Sequence, residues 1–343
     1  MSLSATLAVP GDLGTPTGGY EYARRLLSAA PEAGLALTHL ALPDGFPEPS
    51  EAATRETLAR LSATPGPLLV DGLAHGALPA SGLSPLGPRL AALHHHPLGL
   101  ETGLAPAEAA RRLAAEAAAL AETAAVICTS RTTAATLADR LHVPPERITV
   151  ALPGLDPAPK APRRGDPPVI LGVGTISRRK GWDVLAEALA PLTGLPWRAE
   201  IAGAADREPE ATRALEARLS ALGLTDRVTL LGALPRAELD GRFAGADLFV
   251  LPSRYEGYGM VVAEALARGL PTVATTAGAL PEAAGDAAIL VPPDDPAALA
   301  EALRRLIERP EARDALAARA LARRFPTWTE TAAAVAAALR PLA

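Results

Sequence analysis

Residues 256–264 read Glu-Gly-Tyr-Gly-Met-Val-Val-Ala-Glu, which places two carboxylates eight residues apart around a glycine-rich turn. The apolar run before them, 247–251, is typical of a buried strand, and a helix is predicted to begin near Gly259. The glycines let a ligand approach the backbone closely, and the positive end of a helix dipole favours a phosphate. The carboxylates of Glu256 and Glu264 can accept hydrogen bonds from sugar hydroxyls. The stretch therefore predicts a binding site for a nucleotide sugar.

This stretch resembles the paired-glutamate motif of the family-4 retaining glycosyltransferases, and the resemblance covers nearly the whole chain. It implies the GT-B fold, an α/β architecture of two Rossmann-like domains whose parallel sheets face an interdomain cleft. It also implies that Glu256 contacts the donor sugar and that Glu264 contacts the ribose. The remaining residues of the motif are assigned to donor binding: Gly257, Tyr258, Gly259, Met260 and Val261.

Short apolar runs alternate with segments of helical periodicity, which predicts parallel α/β structure in both halves of the chain. In the first half, strands are predicted near 4–9, 35–40, 67–70, 89–95 and 125–129. In the second half, they are predicted near 169–173, 198–202, 227–231, 247–251, 271–275 and 287–290. Ligands of open α/β sheets bind at the carboxyl ends of the strands, so the turns after these runs are the candidate sites.

A proline-rich segment separates the two halves. Six prolines fall within residues 153–168, and such a segment cannot continue a helix or a strand. We therefore expect an N-terminal acceptor domain over 1–152, a linker over 153–168 and a C-terminal nucleotide-sugar donor domain over 169–326. The GT-B resemblance further implies that the last helix, within 327–343, packs back on the first domain.

A basic turn follows the first strand of the second domain, where residues 169–181 read Val-Ile-Leu-Gly-Val-Gly-Thr-Ile-Ser-Arg-Arg-Lys-Gly. Three adjacent cations, Arg178, Arg179 and Lys180, suit a diphosphate, because each charge-assisted hydrogen bond contributes about 1.5–3 kcal/mol. The related enzymes carry Gly-Arg-x4-Lys-Gly here; the Lys-Gly pair matches, but Thr175 stands in place of the arginine. The resemblance assigns Lys180 to catalysis and donor binding, and Arg178 or Arg179 is expected to compensate for the missing arginine.

A second glycine-rich turn, residues 13–20, reads Leu-Gly-Thr-Pro-Thr-Gly-Gly-Tyr and lies between the first strand and an amphipathic helix. Family-4 enzymes carry a similar Gly-Gly loop that contacts the donor phosphate or the acceptor. The resemblance therefore assigns Gly18 and Gly19 to the donor. A turn with a purely structural role is the alternative.

Three consecutive histidines close the predicted strand 89–95, and strand alternation sends His94 and His96 to one side and His95 to the other. Family members have a histidine at this strand end beside the transferred sugar. The resemblance makes His95 the first choice for a catalytic role and His96 the second, with Glu101 on the acceptor side. A core or surface histidine is the alternative. No second ligand cluster accompanies the histidines, and the resemblance implies no metal.

Composition excludes several other classes of protein. The net charge of −5 gives no electrostatic footprint for nucleic acid. The single cysteine excludes an intramolecular disulfide, and no apolar run reaches the ~18 residues of a membrane span. The beginning of the chain lacks the basic region of a signal peptide, so a cytoplasmic protein is expected. Over residues 1–150, ten arginines and no lysine stand against fourteen acidic residues, 10 − 14 = −4, which disfavours stable membrane association.

The sequence as a whole predicts a retaining glycosyltransferase of hexosyltransferase type that uses a UDP- or GDP-type donor and a soluble small-molecule acceptor. The nucleotide sugar is a substrate, so no cofactor is expected. Rival hypotheses are an epimerase or phosphorylase on the same fold and a non-catalytic nucleotide-sugar binding protein. An oxidoreductase is disfavoured because Gly172-Val-Gly174 begins a dinucleotide fingerprint that Ser177 does not complete. The donor base and sugar, the acceptor and the oligomeric state stay open.

Overall fold

The structure of the chain is a computed structural model that describes residues 3–343, and the chain divides into two compact units. One unit extends to Gly154 and includes Pro326–Ala343, and the other spans Leu155–Phe325. Each unit contains one six-stranded sheet, and all neighbouring strands in both sheets are parallel. The predicted α/β architecture with two parallel sheets is therefore confirmed.

The first unit has the strand order β2-β1-β3-β4-β5-β6. Its elements are β1 (Leu3–Pro10), α1 (Gly18–Ala29), β2 (Leu35–Leu42), α2 (Glu51–Ala63), β3 (Leu68–Asp71), α3 (Gly72–His75), α4 (Ala80–Leu83), β4 (Leu90–His94), α5 (Pro106–Ala121), β5 (Ala125–Cys128), α6 (Arg131–Leu141) and β6 (Ile148–Val150). The register pairs Asp71 with Leu93 and His94 with Cys128. The carboxyl ends of β3, β4 and β5 therefore lie side by side.

Burial in the first sheet follows strand position. All residues of β3 and β4 are buried, as expected for central strands of a parallel sheet that is covered on both faces. The edge strand β2 instead mixes exposed and buried positions. The sequence analysis missed β6, because this strand has three half-buried residues and is too short to show alternation.

The second unit has the strand order β12-β11-β10-β7-β8-β9. Its elements are β7 (Val169–Val173), α7 (Trp182–Leu189), β8 (Arg198–Ala202), α8 (Pro209–Ala221), β9 (Val228–Gly232), α9 (Arg236–Gly245), β10 (Leu248–Leu251), α10 (Met260–Ala267), β11 (Thr272–Thr275), α11 (Leu280–Ala284), β12 (Ala288–Val291), α12 (Pro296–Glu308) and α13 (Pro310–Ala322). The chain adds strands outward from β7 in one direction and then from β10 in the other. The order therefore reverses between β7 and β10, which is where ligands bind in open α/β sheets.

The last helix, α14 (Trp328–Leu339), belongs to the first unit. It begins with a capping box, in which Thr327 and Glu330 satisfy each other's backbone N–H groups. The Trp328 ring packs edge-on against Tyr22 with the ring centroids 5.5 Å apart. Among the helices of residues 3–343, none combines the length and apolar character that crossing a membrane requires.

Candidate functional site

Glu256 lies in the turn between β10 and α10, and its carboxylate is almost fully enclosed, with 9% of the side chain exposed. Lys180 Nζ donates a hydrogen bond to Glu256 Oε1 at 2.6 Å, and Ser253 Oγ donates to the same oxygen at 2.7 Å. Arg179 Nη1 lies 3.5 Å from this oxygen. Two motifs that are 76 residues apart in sequence therefore meet at the point where the strand order reverses.

The protonation state of Glu256 follows from opposing influences. Burial by itself raises the pKa of the carboxyl, but the charges of Lys180 and Arg179 and the hydrogen bonds from Lys180 and Ser253 lower it below its usual value. The carboxyl is therefore ionised at neutral pH and forms a true ion pair with Lys180. An enclosed carboxylate beside two cations is a polar centre that can bind hydroxyls and phosphates together.

Two glycines allow the loops around Glu256 to approach this closely. Gly278 has φ +56°, and a Cβ there would lie 2.2 Å from the Glu256 carbonyl oxygen. Gly181 has φ +68°, and a Cβ there would lie 2.2 Å from the Pro252 carbonyl oxygen. Both positions thus require a positive φ and no side chain. The neighbouring Ala279 has an ordinary φ of −90° and donates its backbone N–H to the Glu256 carbonyl at 2.9 Å.

The basic turn Arg178–Lys180 presents its three side chains differently. Arg178 is exposed, and its backbone N–H donates to Glu208 Oε2 at 3.1 Å. Arg179 is half-buried, and its Nη1 donates to the Tyr255 carbonyl at 3.0 Å. Of the three predicted cations, Arg179 and Lys180 thus lie beside Glu256, whereas the Arg178 side chain extends toward solvent.

The helix α10 begins directly after Gly259, which has φ +93°. Its first residues, Met260 and Val261, are half-buried, and Tyr258 is buried before them. Gly257 is half-buried in the turn between Glu256 and Tyr258. The first-turn N–H groups of a helix have no partner within the helix, so this end can receive an anion.

Glu264, one turn into α10, is buried and paired with cations of its own unit. Its Oε2 lies 2.9 Å from Arg236 Nη1 and 3.9 Å from Arg268 Nη1. Burial raises the pKa of Glu264, and the charges of Arg236 and Arg268 oppose this rise only in part. These partners could not be predicted from the sequence, because both arginines lie outside the glycine-rich motif.

In the first unit, the carboxyl end of β4 brings His95 next to α1. A Cβ on Gly19 would lie 3.2 Å from His95 Cδ2, so this glycine leaves room for the imidazole. The His95 ring packs edge-on against Tyr22 at 5.4 Å, and its Nε2 lies 3.5 Å from Asp71 Oδ2. The sequence analysis missed Asp71. An acidic residue that ends the buried run Leu-Leu-Val-Asp is the signal that could have identified it.

The two glycines of the first turn are placed differently from the expectation. Gly18 and Gly19 were predicted in the loop before the helix, but α1 begins at Gly18. Thr17, with φ −129° and ψ 161°, is the last extended residue before the helix. The glycines therefore contribute first-turn helical N–H groups, which favour an anion as the loop would have done.

His96 and Glu101 form a pair of their own beyond β4. The His96 Nε2 lies 3.1 Å from Glu101 Oε2, and Glu101 Oε1 accepts the backbone N–H of Thr102 at 3.0 Å. Both side chains are partly exposed. The pair lies in the segment that follows His95. Both residues therefore stay candidates for the acceptor side.

His94 is fully buried beside a second buried acid, Glu116 of α5. The His94 Nδ1 lies 3.4 Å from Glu116 Oε1, and the Glu116 carboxyl accepts the backbone N–H of Leu98 at 2.9 Å. Burial raises the pKa of Glu116 to about 8. Burial, together with the neighbouring His75, lowers the pKa of His94 to about 3. Both groups are therefore uncharged at neutral pH, and Glu116 orders the segment that carries His95 and His96.

We expect Glu116→Gln to alter the pH dependence of stability. The folded state retains a proton on Glu116 up to about pH 8, whereas the unfolded chain loses it near pH 4.5. Buried His94 affects stability only below about pH 6.5, its ordinary pKa. Between pH 6.5 and 8 the wild type should therefore lose about 1.4 kcal/mol of unfolding free energy per pH unit relative to the variant. Urea denaturation at pH 6.5, 7.5 and 8.5 measures this difference, and parallel curves would contradict it.

The described part of the chain contains no cluster of side chains suited to a metal ion. Within residues 3–343, no three His, Cys, Asp or Glu side chains cluster in a way that could hold a metal ion. The carboxylate of Asp294 pairs with Arg254, with Asp294 Oδ1 2.6 Å from Arg254 Nε. The buried acids Glu116, Glu256 and Glu264 are engaged in hydrogen bonds or ion pairs.

Comparison with known families finds two matches, which together extend over residues 32–323. A family model described as glycosyl transferases group 1 matches residues 158–323, and one described as glycosyltransferase family 4 matches residues 32–159. The first match contains both Lys180 and Glu256, and the second contains Asp71 and His95.

Curated relatives match part of the chain. D-inositol 3-phosphate glycosyltransferase from Xylanimonas cellulosilytica is 37% identical over 211 residues, which cover 57% of this chain and 50% of that protein. Alpha-D-kanosaminyltransferase from Streptomyces kanamyceticus is 35% identical over 156 residues, or 44% of this chain and 39% of that protein. The matches thus span about half the length of the first of these relatives and less of the second.

Solved structures match along nearly the whole chain. Sucrose-phosphate synthase from Thermosynechococcus elongatus has a TM-score of 0.76 at 24% identity, with 96% of each chain covered. The Anabaena protein HepE in complex with UDP-glucose has a TM-score of 0.77 at 19% identity, with 97% of this chain and 98% of that chain covered. At these identities the likeness shows the fold alone.

Proposed function

Because the chain belongs to the family-4 glycosyltransferases and has their GT-B fold, we propose that it transfers a sugar from a nucleoside diphosphate sugar to an acceptor with retention of configuration. The observation that carries the proposal is the ion pair between Lys180 and Glu256 at 2.6 Å, beside the start of α10. A phosphate-binding cation and a sugar-binding carboxylate thereby meet at the reversal of strand order, the expected ligand position.

Catalysis in this proposal is mainly electrostatic. Lys180, Arg179 and the N-terminal end of α10 stabilise the negative charge that develops on the departing diphosphate. The Glu256 carboxylate binds a donor-sugar hydroxyl and favours the positive charge that develops at the anomeric carbon. Fixed charges in an enclosed site act strongly, because no solvent reorganisation is needed when the bond breaks.

Arg179 supplies the second phosphate cation in this proposal, in place of the arginine that related enzymes carry at the position of Thr175. Its Nη1 lies 3.5 Å from the Glu256 carboxylate, whereas the Arg178 side chain is exposed. The remaining donor contacts follow the resemblance. Glu264 binds the ribose, and the backbone of residues 257–261 lines the diphosphate.

We expect Arg179→Ala and Lys180→Ala each to weaken binding of UDP or GDP by about tenfold or more, since a charge-assisted hydrogen bond contributes about 1.5–3 kcal/mol. Arg178→Ala should cause a smaller loss, because its side chain points toward solvent. Isothermal titration of the three variants against both nucleotides measures the order. A larger loss of affinity for Arg178→Ala than for Arg179→Ala would mean that Arg178 is the second phosphate cation. Unchanged affinity in Lys180→Ala would show that Lys180 does not bind the diphosphate.

His95 is proposed to hold the transferred sugar from the first unit. Its imidazole borders the first turn of α1 at Gly19 and lies 3.5 Å from the Asp71 carboxylate, which orients the ring. His96 and Glu101 are proposed for the acceptor side, where a partly exposed hydrogen-bonded pair can receive a hydroxyl.

We expect His95→Ala to lower transfer by about a hundredfold, on the scale of one lost transition-state hydrogen bond, and to leave nucleotide affinity nearly unchanged. Steady-state transfer rates and isothermal titration on the same preparation separate the two quantities. His96→Ala is the matched variant, since the two histidines are adjacent and similarly exposed. If His96→Ala shows the larger loss of transfer, the sugar-binding role belongs to His96.

The proposed donor is of UDP type and the proposed acceptor is a soluble small polyol or sugar. The UDP-glucose bound by a protein of the same fold makes a UDP sugar the first donor to test, and the relative named for D-inositol 3-phosphate makes a small polar polyol the first acceptor to test. The net negative charge over residues 1–150, with ten arginines against fourteen acids, supports an acceptor that is not presented on an anionic membrane.

A thermal-shift panel of nucleotide sugars tests the proposal directly. A ligand at 100 times its dissociation constant stabilises the fold by about 2.7 kcal/mol, which is readily seen in the melting temperature. The stabilising donor is then incubated with candidate polyols, and the product is identified by NMR for its anomeric configuration. Transfer with an inverted product would contradict the retaining mechanism, and an isomerised donor without transfer would indicate an epimerase.

A further inference from the structure

Arg254 lies in the turn after β10, two residues before Glu256, and connects several parts of the second unit. Its Nη1 and Nη2 donate to the two oxygens of Asp183 at 3.0 and 2.7 Å. Its Nε donates to Asp294 Oδ1 at 2.6 Å. Nη1 also donates to the Arg178 carbonyl. The guanidinium therefore uses all three of its nitrogens in one arrangement.

Arg254 is one of the residues that attach the basic turn to the segment after β10. The Arg254 side chain donates to the Arg178 carbonyl, and its backbone N–H donates to the Arg179 carbonyl at 2.8 Å. Within the turn itself, Lys180 N donates to Ser177 O at 3.1 Å and Gly181 N donates to Arg178 O at 3.3 Å. A single short helical turn has few internal bonds. Its position therefore depends on these external contacts.

The arrangement requires arginine in particular. A planar fork of five N–H donors can bind a carboxylate with two parallel bonds and reach a second carboxylate and a carbonyl at the same time. A lysine ammonium carries the same charge but cannot reproduce this geometry. The Arg254 side chain is 21% exposed and both acids are exposed, so each pair by itself is weak. The contribution of the network is that it holds the basic turn in one position.

We propose that Arg254 is a positioning residue that holds the basic turn so that Lys180 and Arg179 face the donor diphosphate. The inference rests on the proposed function, because it assigns the purpose of the turn. Arg254 acts through Lys180 and Arg179: its side-chain bonds go to the turn carbonyl and to two acids of the same unit. Removing the Arg254 side chain should therefore weaken diphosphate binding by displacing these two cations. It should have no further effect in a variant that already lacks both of them.

A mutant cycle with Lys180 and Arg179 tests this route. Arg254→Ala is expected to weaken binding of UDP or GDP, whichever the wild type binds more tightly, by about tenfold in isothermal titration. In a background that carries both Lys180→Ala and Arg179→Ala, the same change is expected to weaken binding by less than about twofold. Arg254→Lys should recover only a small part of the loss. An equal loss in both backgrounds would mean that Arg254 acts independently of the two cations and would overturn the proposal.

Arg242→Ala serves as the matched control. Arg242 also pairs with an acid of the second unit, Glu200 at 3.1 Å, and is partly exposed, but it belongs to α9 and lies outside the basic turn. It should bind the nucleotide as the wild type does. If Arg242→Ala causes the same loss as Arg254→Ala, the effect reflects general loss of charge and the proposal fails.

Hydrogen exchange gives a second readout that needs no ligand. In Arg254→Ala, the amides of residues 178–181 should exchange at least about tenfold faster, while those of the central strands β7 and β10 stay protected. Unchanged exchange in the turn would overturn the proposal. If the wild type binds neither nucleotide, the proposed function fails, and the exchange experiment still decides whether Arg254 holds the turn.

Discussion

Replacing Glu256 with glutamine is expected to lower turnover by about 10²- to 10³-fold while leaving nucleoside diphosphate affinity unchanged or higher. The carboxylate matters most when positive charge develops at the anomeric carbon, so its loss is felt in the transition state. Glutamine still offers an oxygen to Ser253 Oγ and Lys180 Nζ, both of which donate to Oε1. Lys180, however, no longer faces a negative charge at this position and should bind phosphate more strongly.

Single-turnover rates and isothermal titration with the nucleoside diphosphate separate the two effects of Glu256→Gln. Glu216→Gln is the matched control, because Glu216 is an exposed acid on α8 of the same unit. It should change neither quantity. Equal losses of turnover and of nucleotide affinity in Glu256→Gln would show that the carboxylate only maintains the structure of the site.

Gly278→Ala is expected to lower the free energy of unfolding by about 3 kcal/mol or more. Two costs combine at this position. Alanine disfavours φ +56°, and its Cβ would lie 2.2 Å from the carbonyl oxygen of Glu256 and 2.9 Å from its backbone nitrogen. The backbone of Glu256 must move to accommodate the methyl group, so turnover should fall as well.

Gly232→Ala isolates the first of these costs. Gly232 has φ +70°, but nothing lies within 4 Å of the position its Cβ would occupy. This control should lose only about 1–2 kcal/mol through backbone strain. Urea denaturation of both variants measures the difference. Equal losses would mean that the loop carrying Gly278 relaxes freely and does not hold Glu256 in place.

Local patterns in the sequence were sufficient for the fold and for the two motifs of the second unit. Central strands such as β7 and β10 are continuous apolar runs, and the turns after them carry unusual residues, so both can be recognised within a few residues. The glycine-rich motif around Glu256 and the Lys-Gly pair at Lys180 are local signals of this kind.

The partners of these motifs were decided by tertiary structure. The sequence alone could not choose between Arg178 and Arg179, because the choice depends on which side chain the basic turn directs toward Glu256. It also gave no indication that Glu264 pairs with Arg236, since such contacts join elements that are neighbours only after the sheet has formed.

By itself, the sequence determined that the chain forms two parallel α/β units, and it predicts phosphate- and sugar-binding residues after β7 and β10. Only the tertiary structure decided that Lys180 meets Glu256, that Arg254 donates to the Arg178 carbonyl and that Gly278 must lack a side chain. The physical reason is that periodicity and turn composition act over a few residues. The order of strands in a sheet, by contrast, brings together loops that are 76 residues apart.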